Sequence, residues 1–370
     1  MAEIGSIGVE PVHSVSSNGG VEPLGSGCLV HWGVRADDRW HIARDEQAVR
    51  QIVAEDGVTI ETRLRVPGGD IVHRASSTPY RNTSLVIVEI ENETPLPVAI
   101  ALFTVGAGIW RCEGNMLFRN SVSVISASKP VSHCLVATSE DDMMNDLKLE
   151  ESQNDAERAQ SVKGSHVAIV FPLPHTSSLR LVFCVENELD SLPPPDDLPN
   201  LEGIANGWNA HLDFGSTVVL EDERVQKVLF AARRHLLVGC EQALTSSYWL
   251  KGVPAYAPTL AISSMCLWGH IEAARHLLTQ SIDRYQVSSF QRPKMEYLAY
   301  LLWACNEFTL HQMNDEATIP ILNWAIEQIG NFVNAIPRSR IRSRVGHSYL
   351  RLGLESSVSI LNRSGRIEEA

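Results

Sequence analysis

Residues 248–278 constrain the fold of this chain most, because they join two different helical patterns through a tight turn. The first pattern, from about residue 254 to 268, is apolar on nearly all sides, as in a helix surrounded by other helices. The second, from 271 to 282, places its apolar residues on one face, as in a helix with one side in water. We predict a turn at Gly269 between them. The stretch therefore predicts a helical hairpin with an inner and an outer helix.

A similar pair of patterns follows in the chain. Residues 293–310 are mostly apolar, and residues 316–335 are amphipathic. Alternation of inner and outer helices at a spacing of about 40 residues is typical of a helical solenoid or toroid. A long helix at 224–244 precedes these hairpins, with acidic residues in its first turn, and an inner-type helix is predicted at 348–361.

The first half of the chain has the patterns of β-strands. Residues 58–66 alternate apolar and polar side chains, and Gly68 with Gly69 then predicts a hairpin turn. Six more strand patterns follow, several of them β-branched runs that indicate burial on both faces, at 85–90, 98–105, 122–127, 134–137, 166–171 and 179–185. Many short strands at this spacing predict an antiparallel β-sandwich. The acidic segment 140–158 is predicted to be a solvated excursion from it.

A proline-rich run at residues 191–199 predicts the main internal boundary, because consecutive prolines hold a chain extended. We therefore predict an α+β multidomain protein. It has a β-sandwich domain at 1–192, a linker at 193–220 and an α/α helical domain at 221–370. Within the linker, residues 208–220 are predicted to form a strand or an extended arm.

Composition excludes several classes of partner and site. The apolar runs are shorter than the ~20 residues of a membrane helix, and the N-terminus lacks a signal-peptide pattern, so we expect a cytoplasmic protein without membrane contact. A formal net charge of -13 disfavours nonspecific binding to nucleic acid. The seven cysteines are scattered singly, which predicts reduced core residues. Neither the spacing of His270 and His276 nor the loop at Gly25 fits a metal or nucleotide site, so we predict no cofactor.

The order of these elements resembles the six-hairpin glycosidases, the glucoamylase-like and glycogen-debranching-like proteins. Four stretches are similar to an actinobacterial branch of that group: LVIVEIENETPLPVAIAL, HVAIVFPLPHTSSLRLVF, LEDERVQKVLFAARRHLL and YWLKGVPAYAPTLAISSMCLWGHIEAARHLL. The resemblance covers about residues 29–310. It implies a supersandwich-like β-domain, a toroid of helical hairpins and an interaction with carbohydrate.

The resemblance also implies where a site would lie, namely in the loops that precede the inner helices. Inverting hydrolysis needs two carboxylates ~6.5–9.5 Å apart, one as acid and one as base. These loops offer one carboxylate, Glu296, as a candidate general acid, although a glutamate in a first helical turn is also favoured by the helix dipole. The candidate substrate-binding residues are Trp249, Lys251, Tyr256, Tyr297 and His347. The aromatic residues could stack on a sugar ring or serve in packing.

Two features depart from the family pattern. Members carry an Arg-Asp pair whose aspartate holds sugar hydroxyls, whereas this chain has Lys251 and Gly252 there. A full toroid has twelve helices, and residues 221–370 have room for about six. Half a toroid would expose apolar inner helices, so we predict a homo-oligomer or a protein partner that covers the helical domain.

These observations leave three functions open. The first is a carbohydrate-interacting protein of the glycoside-hydrolase fold with weak or no hydrolase activity. The second is an active glycosidase with Glu296 as general acid. The third uses the arginine-rich segment 338–344 to bind nucleic acid or a phosphate ligand, but alternating Arg and Ser without aromatic residues is more typical of a solvated surface. We expect the first function and disfavour nucleic acid.

Overall fold

The computed structural model describes residues 2–6, 9–23, 29–149, 161–183, 189, 191–245, 257–287, 294–312, 316–335 and 344–366. The chain contains a large antiparallel β-sheet and eight α-helices in these ranges, so the predicted α+β class is confirmed. It divides into two compact units, Met1–Asn209 and Ala210–Ala370.

The first unit is built on one sheet, which has fifteen strands in the described part of the chain. They are β1 Ala2–Ser6, β2 Val9–Val15, β3 Val21–Pro23, β4 Leu29–Ala36, β5 Arg39–Ile42, β6 Val49–Val53, β7 Ile60–Val66, β8 Gly69–Tyr80, β9 Thr83–Asn92, β10 Val98–Glu113, β11 Met116–Arg119, β12 Val122–Ala127, β13 His133–Ala137, β14 Val162–Leu173 and β15 Ser178–Phe183. The main order is β1-β2-β3-β4-β10-β11-β12-β15-β9-β8-β7-β6. In addition, β5 pairs with β4, and β14 pairs with both β10 and β13.

The sheet curls so that β1 and β2, at one end of the strand order, lie against β8 and β9, which are near its other end. Two hydrogen bonds join these layers: the Ser6 and Ser77 hydroxyls lie 3.1 Å apart, and His13 Nε2 lies 3.1 Å from the Ser84 carbonyl oxygen. Large apolar side chains fill the interior of the curl, among them Trp32, Leu64, Trp110, Phe171 and Phe183. Burial of this apolar surface is the main driving force for the fold of the unit.

The hairpin predicted around Gly68 is confirmed. Strands β7 and β8 pair with Val66 opposite Gly69, and Gly68 has a φ of 90°. Glycine adopts this backbone region without a steric penalty from a Cβ atom. Strand β9 is buried along nearly its whole length, as its β-branched run predicted.

The prediction that the acidic segment 140–158 is a solvated excursion was wrong for residues 140–149. They form helix α1, Glu140–Leu149, whose N-terminus is capped by the Ser139 hydroxyl, which accepts a hydrogen bond from the Asp142 amide (3.2 Å). Met143 and Leu147 are buried against the sheet. Three of its acidic residues, Glu140, Asp141 and Asp142, stand in the first turn, where the helix dipole favours them.

Seven further helices follow along the chain. They are α2 Leu201–Asp213, α3 Glu223–Thr245, α4 Ala257–Trp268, α5 Ile271–Val287, α6 Lys294–His311, α7 Ile319–Ala335 and α8 Arg344–Arg363. Short 3-10 turns occur at Pro195–Asp197 and Glu316–Thr318. The helices predicted from the patterns are all present.

The prediction of a strand or an extended arm was wrong for residues 208–213, because they belong to helix α2. The Asn200 side chain caps this helix by accepting a hydrogen bond from the Gly203 amide (2.8 Å). Ile204, Trp208 and Leu212 then form a buried stripe at a spacing of four residues. The stripe stabilises a helix whose two glycines give it a low intrinsic propensity.

Helix α6 is the centre of the second unit. It packs against α4, α5, α7 and α8, and its Leu301, Leu302 and Phe308 are fully buried. It runs in the same direction as α8. The first turns of α6 bring Ala299 close to Gly353, and further along both helices Arg363 donates hydrogen bonds to the Asn306 carbonyl oxygen (3.2 Å).

The predicted turn between α4 and α5 is confirmed and is held by several contacts. Gly269 has a φ of 79°, and the Ser216 amide donates to the Trp268 carbonyl oxygen (2.6 Å). The Arg233 guanidinium lies over the Trp268 ring (4.8 Å to the ring centroid) and donates from Nε to His270 Nε2 (2.9 Å). Burial, together with the positive charges of Arg233 and His211, lowers the pKa of His270 to about 4, so the imidazole stays neutral and accepts this bond.

We predict that Gly215→Ala destabilises the protein by about 1–3 kcal/mol, the usual cost of inserting a methyl group where there is no room for it. A Cβ atom at Gly215 would overlap the Arg233 guanidinium and the Trp268 carbonyl oxygen. Thermal or urea unfolding of the full chain measures the loss. Gly330→Ala in α7 is the matched control, because its Cβ would face open space; we expect a gain of about 0.5–1 kcal/mol. Equal effects of the two substitutions would contradict the packing described here.

Candidate active site at the start of the inner helices

The loops predicted to form the site lie mostly outside the described residues. Trp249, Lys251 and Tyr256 fall in the undescribed range 246–256. His347 belongs to the first turn of α8, but its side chain is also outside the description. Glu296 and Tyr297 are the predicted site residues whose side chains the structure places.

Glu296 lies in the first turn of α6 and is partly buried. Tyr349 lies in the first turns of α8, and burial, together with the negative charge of Glu296, raises the pKa of its phenol. The parallel course of α6 and α8 thus brings a carboxylate and a protonated phenol to the same end of the helices. A carboxylate accepts hydrogen bonds and a phenol can donate one, so this pair could bind hydroxyl groups.

Tyr297 is turned toward α5 and holds that helix against α6. Its hydroxyl lies 3.4 Å from the Ser281 carbonyl oxygen, and its ring centroid lies 6.0 Å from that of Tyr285. Tyr285 in turn contacts the Trp324 ring edge to face at 6.0 Å. Three aromatic rings therefore connect the start of α6 with the outer helices α5 and α7. In this arrangement Tyr297 has a packing role.

The described parts of the inner helices do not supply a second carboxylate beside Glu296. Helix α4 has no acidic residue. Glu307 lies eleven residues further along α6, or ~16 Å along the helix axis, which exceeds the spacing of a catalytic pair. Glu355 in α8 is engaged by Arg351 (2.7 Å). At this end, the described residues offer a hydrogen-bond acceptor and a donor, Glu296 and Tyr349, without a second carboxylate at the spacing that inverting hydrolysis needs.

A separate groove, which no sequence pattern predicted, lies between the outer helices α5 and α7. Its volume is about 550 Å³. We call it the α5–α7 groove, and its lining residues are Glu272, Arg275, His276, Thr279, Ile282, Asp283, Gln286, Ala317, Pro320, Ile321 and Trp324. A polar stripe on α5 at helical spacing could have indicated one wall, but the second wall depends on the packing of α7.

No cluster of three or more His, Cys, Asp or Glu side chains is placed to hold a metal ion among the described residues. In the same ranges, no helix is long and apolar enough to cross a membrane. Among the described cysteines, Cys112, Cys266 and Cys305 are buried and Cys134 is partly buried. Burial, with a contribution from the Glu307 charge, raises the pKa of Cys266 to about 12, so this thiol is protonated and a poor nucleophile.

Comparison with known proteins gives a likeness at the level of the fold. No protein-family model matches the chain, and no curated protein matches it. A solved structure of a bacterial glucoamylase complexed with acarbose aligns with 100% of this chain and 66% of its own, with a TM-score of 0.60 and 9% identity.

Two other solved structures align with TM-scores too low to carry an argument. One is a polysaccharide lyase (TM-score 0.27, 10% identity, 100% of this chain and 73% of that chain). The other is a family GH92 α-mannosidase from Bacteroides thetaiotaomicron in complex with mannoimidazole (TM-score 0.23, 8% identity, 88% and 50%). The glucoamylase likeness shows the fold alone: the chain has a glycosidase-like fold and spans 66% of the length of that enzyme.

Proposed function

We propose that this chain is a carbohydrate-interacting protein of the glycosidase-like fold with little or no hydrolase activity of its own. The observation that carries the proposal is the alignment of the whole chain with a glucoamylase whose structure contains acarbose. The chemistry at the start of the inner helices is compatible with binding, because Glu296 and Tyr349 offer an acceptor and a donor for sugar hydroxyls. Trp249, Lys251, Tyr256 and His347 stay in the proposed site as residues that contact the sugar, and Tyr297 supports the site by holding α5 against α6.

The carboxylates support the proposal of little or no hydrolase activity. Glycosidic bond cleavage with inversion requires an acid and a base on opposite sides of the bond. Glu296 is the proposed acid, and the described inner helices contain no partner at a suitable distance. Lys251 and Gly252 stand where the related enzymes hold sugar hydroxyls with an aspartate. Loss of one member of an acid-base pair typically lowers the rate by ~10²–10⁴-fold.

The finer architecture belongs to the same proposal. We propose that the curled sheet is a supersandwich-like β-sandwich, that the helical hairpins form part of an (α/α) toroid, and that the chain belongs to an actinobacterial branch of the six-hairpin group. The proposed boundaries are 1–192, 193–220 and 221–370, and the proposed location is cytoplasmic. We also propose self-association or a protein partner for the helical domain. Leu260 and Leu267 of α4, which are 48% and 64% exposed, support a covered surface there.

We expect Glu296→Gln to weaken the binding of maltooligosaccharides about tenfold, because the substitution replaces a charged hydrogen-bond acceptor by a neutral amide. Isothermal titration calorimetry of maltoheptaose against the full chain measures the change. Glu355→Gln, at an exposed position of the same bundle, is the matched control and should leave binding unaltered. Binding that is identical in the wild type and both variants would place the sugar elsewhere.

A further inference from the structure

We propose that the α5–α7 groove is a second sugar-binding site, which takes a neutral pyranose unit on the outer face of the helical domain. This inference rests on the proposed function, because it assumes that the chain binds carbohydrate. It concerns a place that is distinct from the start of the inner helices, since neither Glu296 nor Tyr349 lines the groove. A volume of about 550 Å³ lies within the range of small-molecule sites.

The polar wall of the groove favours a neutral ligand rich in hydroxyl groups. Six residues of α5, at helical spacing, form this wall: Glu272, Arg275, His276, Thr279, Asp283 and Gln286. The charge of Arg275 is compensated by an ion pair with Glu272, so the wall offers no free guanidinium to a phosphate or carboxylate. Asp283 is exposed and forms no hydrogen bond or ion pair with other described residues. Its carboxylate is thus available to accept hydrogen bonds from hydroxyl groups.

The opposite wall is apolar and contains an aromatic ring. Trp324 is 9% exposed and is flanked by Ile321 and Pro320. An indole ring beside aliphatic side chains suits the C–H face of a pyranose, while the hydroxyl groups at the ring edge reach the polar wall. One polar and one apolar wall therefore match the two kinds of surface that a sugar ring presents.

Trp324 adds an independent observation. Its indole N–H is buried and has no hydrogen-bond acceptor among the described residues, which is a costly state for a donor. Because Trp324 lines the groove, a ligand hydroxyl oxygen bound there would supply the missing acceptor. The ligand would also change the surroundings of the Trp324 ring, which meets Tyr285 edge to face at 6.0 Å. Sugar binding in the groove should accordingly change the tryptophan fluorescence.

The test is the number of maltotriose molecules that one chain binds, measured by isothermal titration calorimetry with tryptophan fluorescence in parallel. We expect two in the wild type and one in Asp283→Asn, because loss of the charged acceptor weakens the groove site at least about tenfold. The fluorescence change should become smaller in Asp283→Asn, because Trp324 no longer responds while a response of Trp249 at the other proposed site remains. Glu327→Gln, an exposed carboxylate on α7 that does not line the groove, is the matched control and should bind two.

The outcomes separate this inference from the proposed function. One bound maltotriose that is lost in Glu296→Gln and kept in Asp283→Asn would overturn the groove and leave the proposed function intact. One bound maltotriose that is lost in Asp283→Asn and kept in Glu296→Gln would support the groove as a sugar-binding site and contradict binding at Glu296. The absence of any bound maltotriose would overturn both. A change of oligomeric state caused by Asp283→Asn without sugar would also overturn the groove proposal, because it would mark a protein contact.

Discussion

Lowering the pH from 8 to 5 is expected to reduce the free energy of unfolding by about 4 kcal/mol through two buried histidines, His13 and His73. His13 lies in β2 and His73 in β8, and they are 0% and 2% exposed. Nδ1 of each ring has no hydrogen-bond partner in the described part of the protein. Burial lowers the pKa of both side chains from 6.5 to about 4.

The sign follows from the direction of these pKa shifts. A histidine with a lowered pKa in the folded state is neutral there, whereas the unfolded chain takes up a proton below about pH 6.5. The stabilisation is therefore fully present above pH 6.5 and is lost as the pH falls toward 4. At pH 5 the difference in proton binding amounts to about 2 kcal/mol for each histidine.

Urea unfolding of the full chain at pH 8 and pH 5 measures this loss. The double variant His13→Gln and His73→Gln should lose about 4 kcal/mol less than the wild type over the same range, because neither amide takes up a proton. His311→Gln is the matched control, since His311 is exposed to solvent. A double variant with the pH dependence of the wild type would show that other groups cause the acid sensitivity.

Trp32→Ala is expected to cost about 3–5 kcal/mol of stability, the range for truncating a large buried aromatic residue. Trp32 is 1% exposed and belongs to the main core cluster of the sheet. Its ring stacks on His73 at 5.1 Å between centroids, and its indole N–H donates to the Asn18 carbonyl oxygen (3.0 Å). Alanine would remove the packing, the stacking and the hydrogen bond together.

Trp32→Phe separates these contributions, because phenylalanine keeps a ring beside His73 but cannot donate to Asn18. We expect it to lose about 1–2 kcal/mol, mainly from the unpaired carbonyl group and the smaller ring. Unfolding curves of the wild type and both variants provide the measurement. Similar losses for alanine and phenylalanine would mean that the hydrogen bond, and not the packing, dominates at this position.

The sequence allowed much of the secondary structure to be predicted, where side-chain periodicity and glycine positions agree. The hairpin of β7 and β8 required Gly68 in a left-handed conformation, and that residue adopts it. The inner helix α6 could be predicted from the sequence because apolar residues that belong to the core occupy almost every side of it. These features depend on residues that are close in sequence, so they can be predicted from a single sequence.

Features that depend on capping or on contacts distant in sequence were missed. Helix α2 lies in the predicted linker, and its end overlaps the predicted strand or extended arm; its Asn200 cap and its buried stripe outweigh the low propensity of its two glycines. In helix α1, Met143 and Leu147 stand among several acidic residues. They are buried only because the helix packs against the sheet, a contact that no local pattern reveals. Short strands such as β5 are defined by their pairing partners, which no local pattern reveals.

The candidate site was predictable only in part. Glu296 could be singled out from its place at the start of an inner helix. Its neighbour Tyr349 is 53 residues away in sequence and comes close because α6 and α8 pack in parallel. The roles of Trp249, Lys251 and Tyr256 stay predictions, because these residues lie outside the described ranges. The α5–α7 groove was missed, since it arises from two helices that the sequence cannot place side by side.

Turnover of maltooligosaccharides, trehalose and α-glucosides by the purified wild type, compared with Glu296→Gln, tests the central claim most directly. We expect the two proteins to release sugar at the same rate, close to that of the uncatalysed reaction, while the wild type still binds maltoheptaose. This result would agree with a glycosidase-like fold that binds carbohydrate without a complete acid-base pair. Robust wild-type turnover that Glu296→Gln lowers by ~10²-fold or more would contradict the claim and identify Glu296 as the general acid of an active glycosidase.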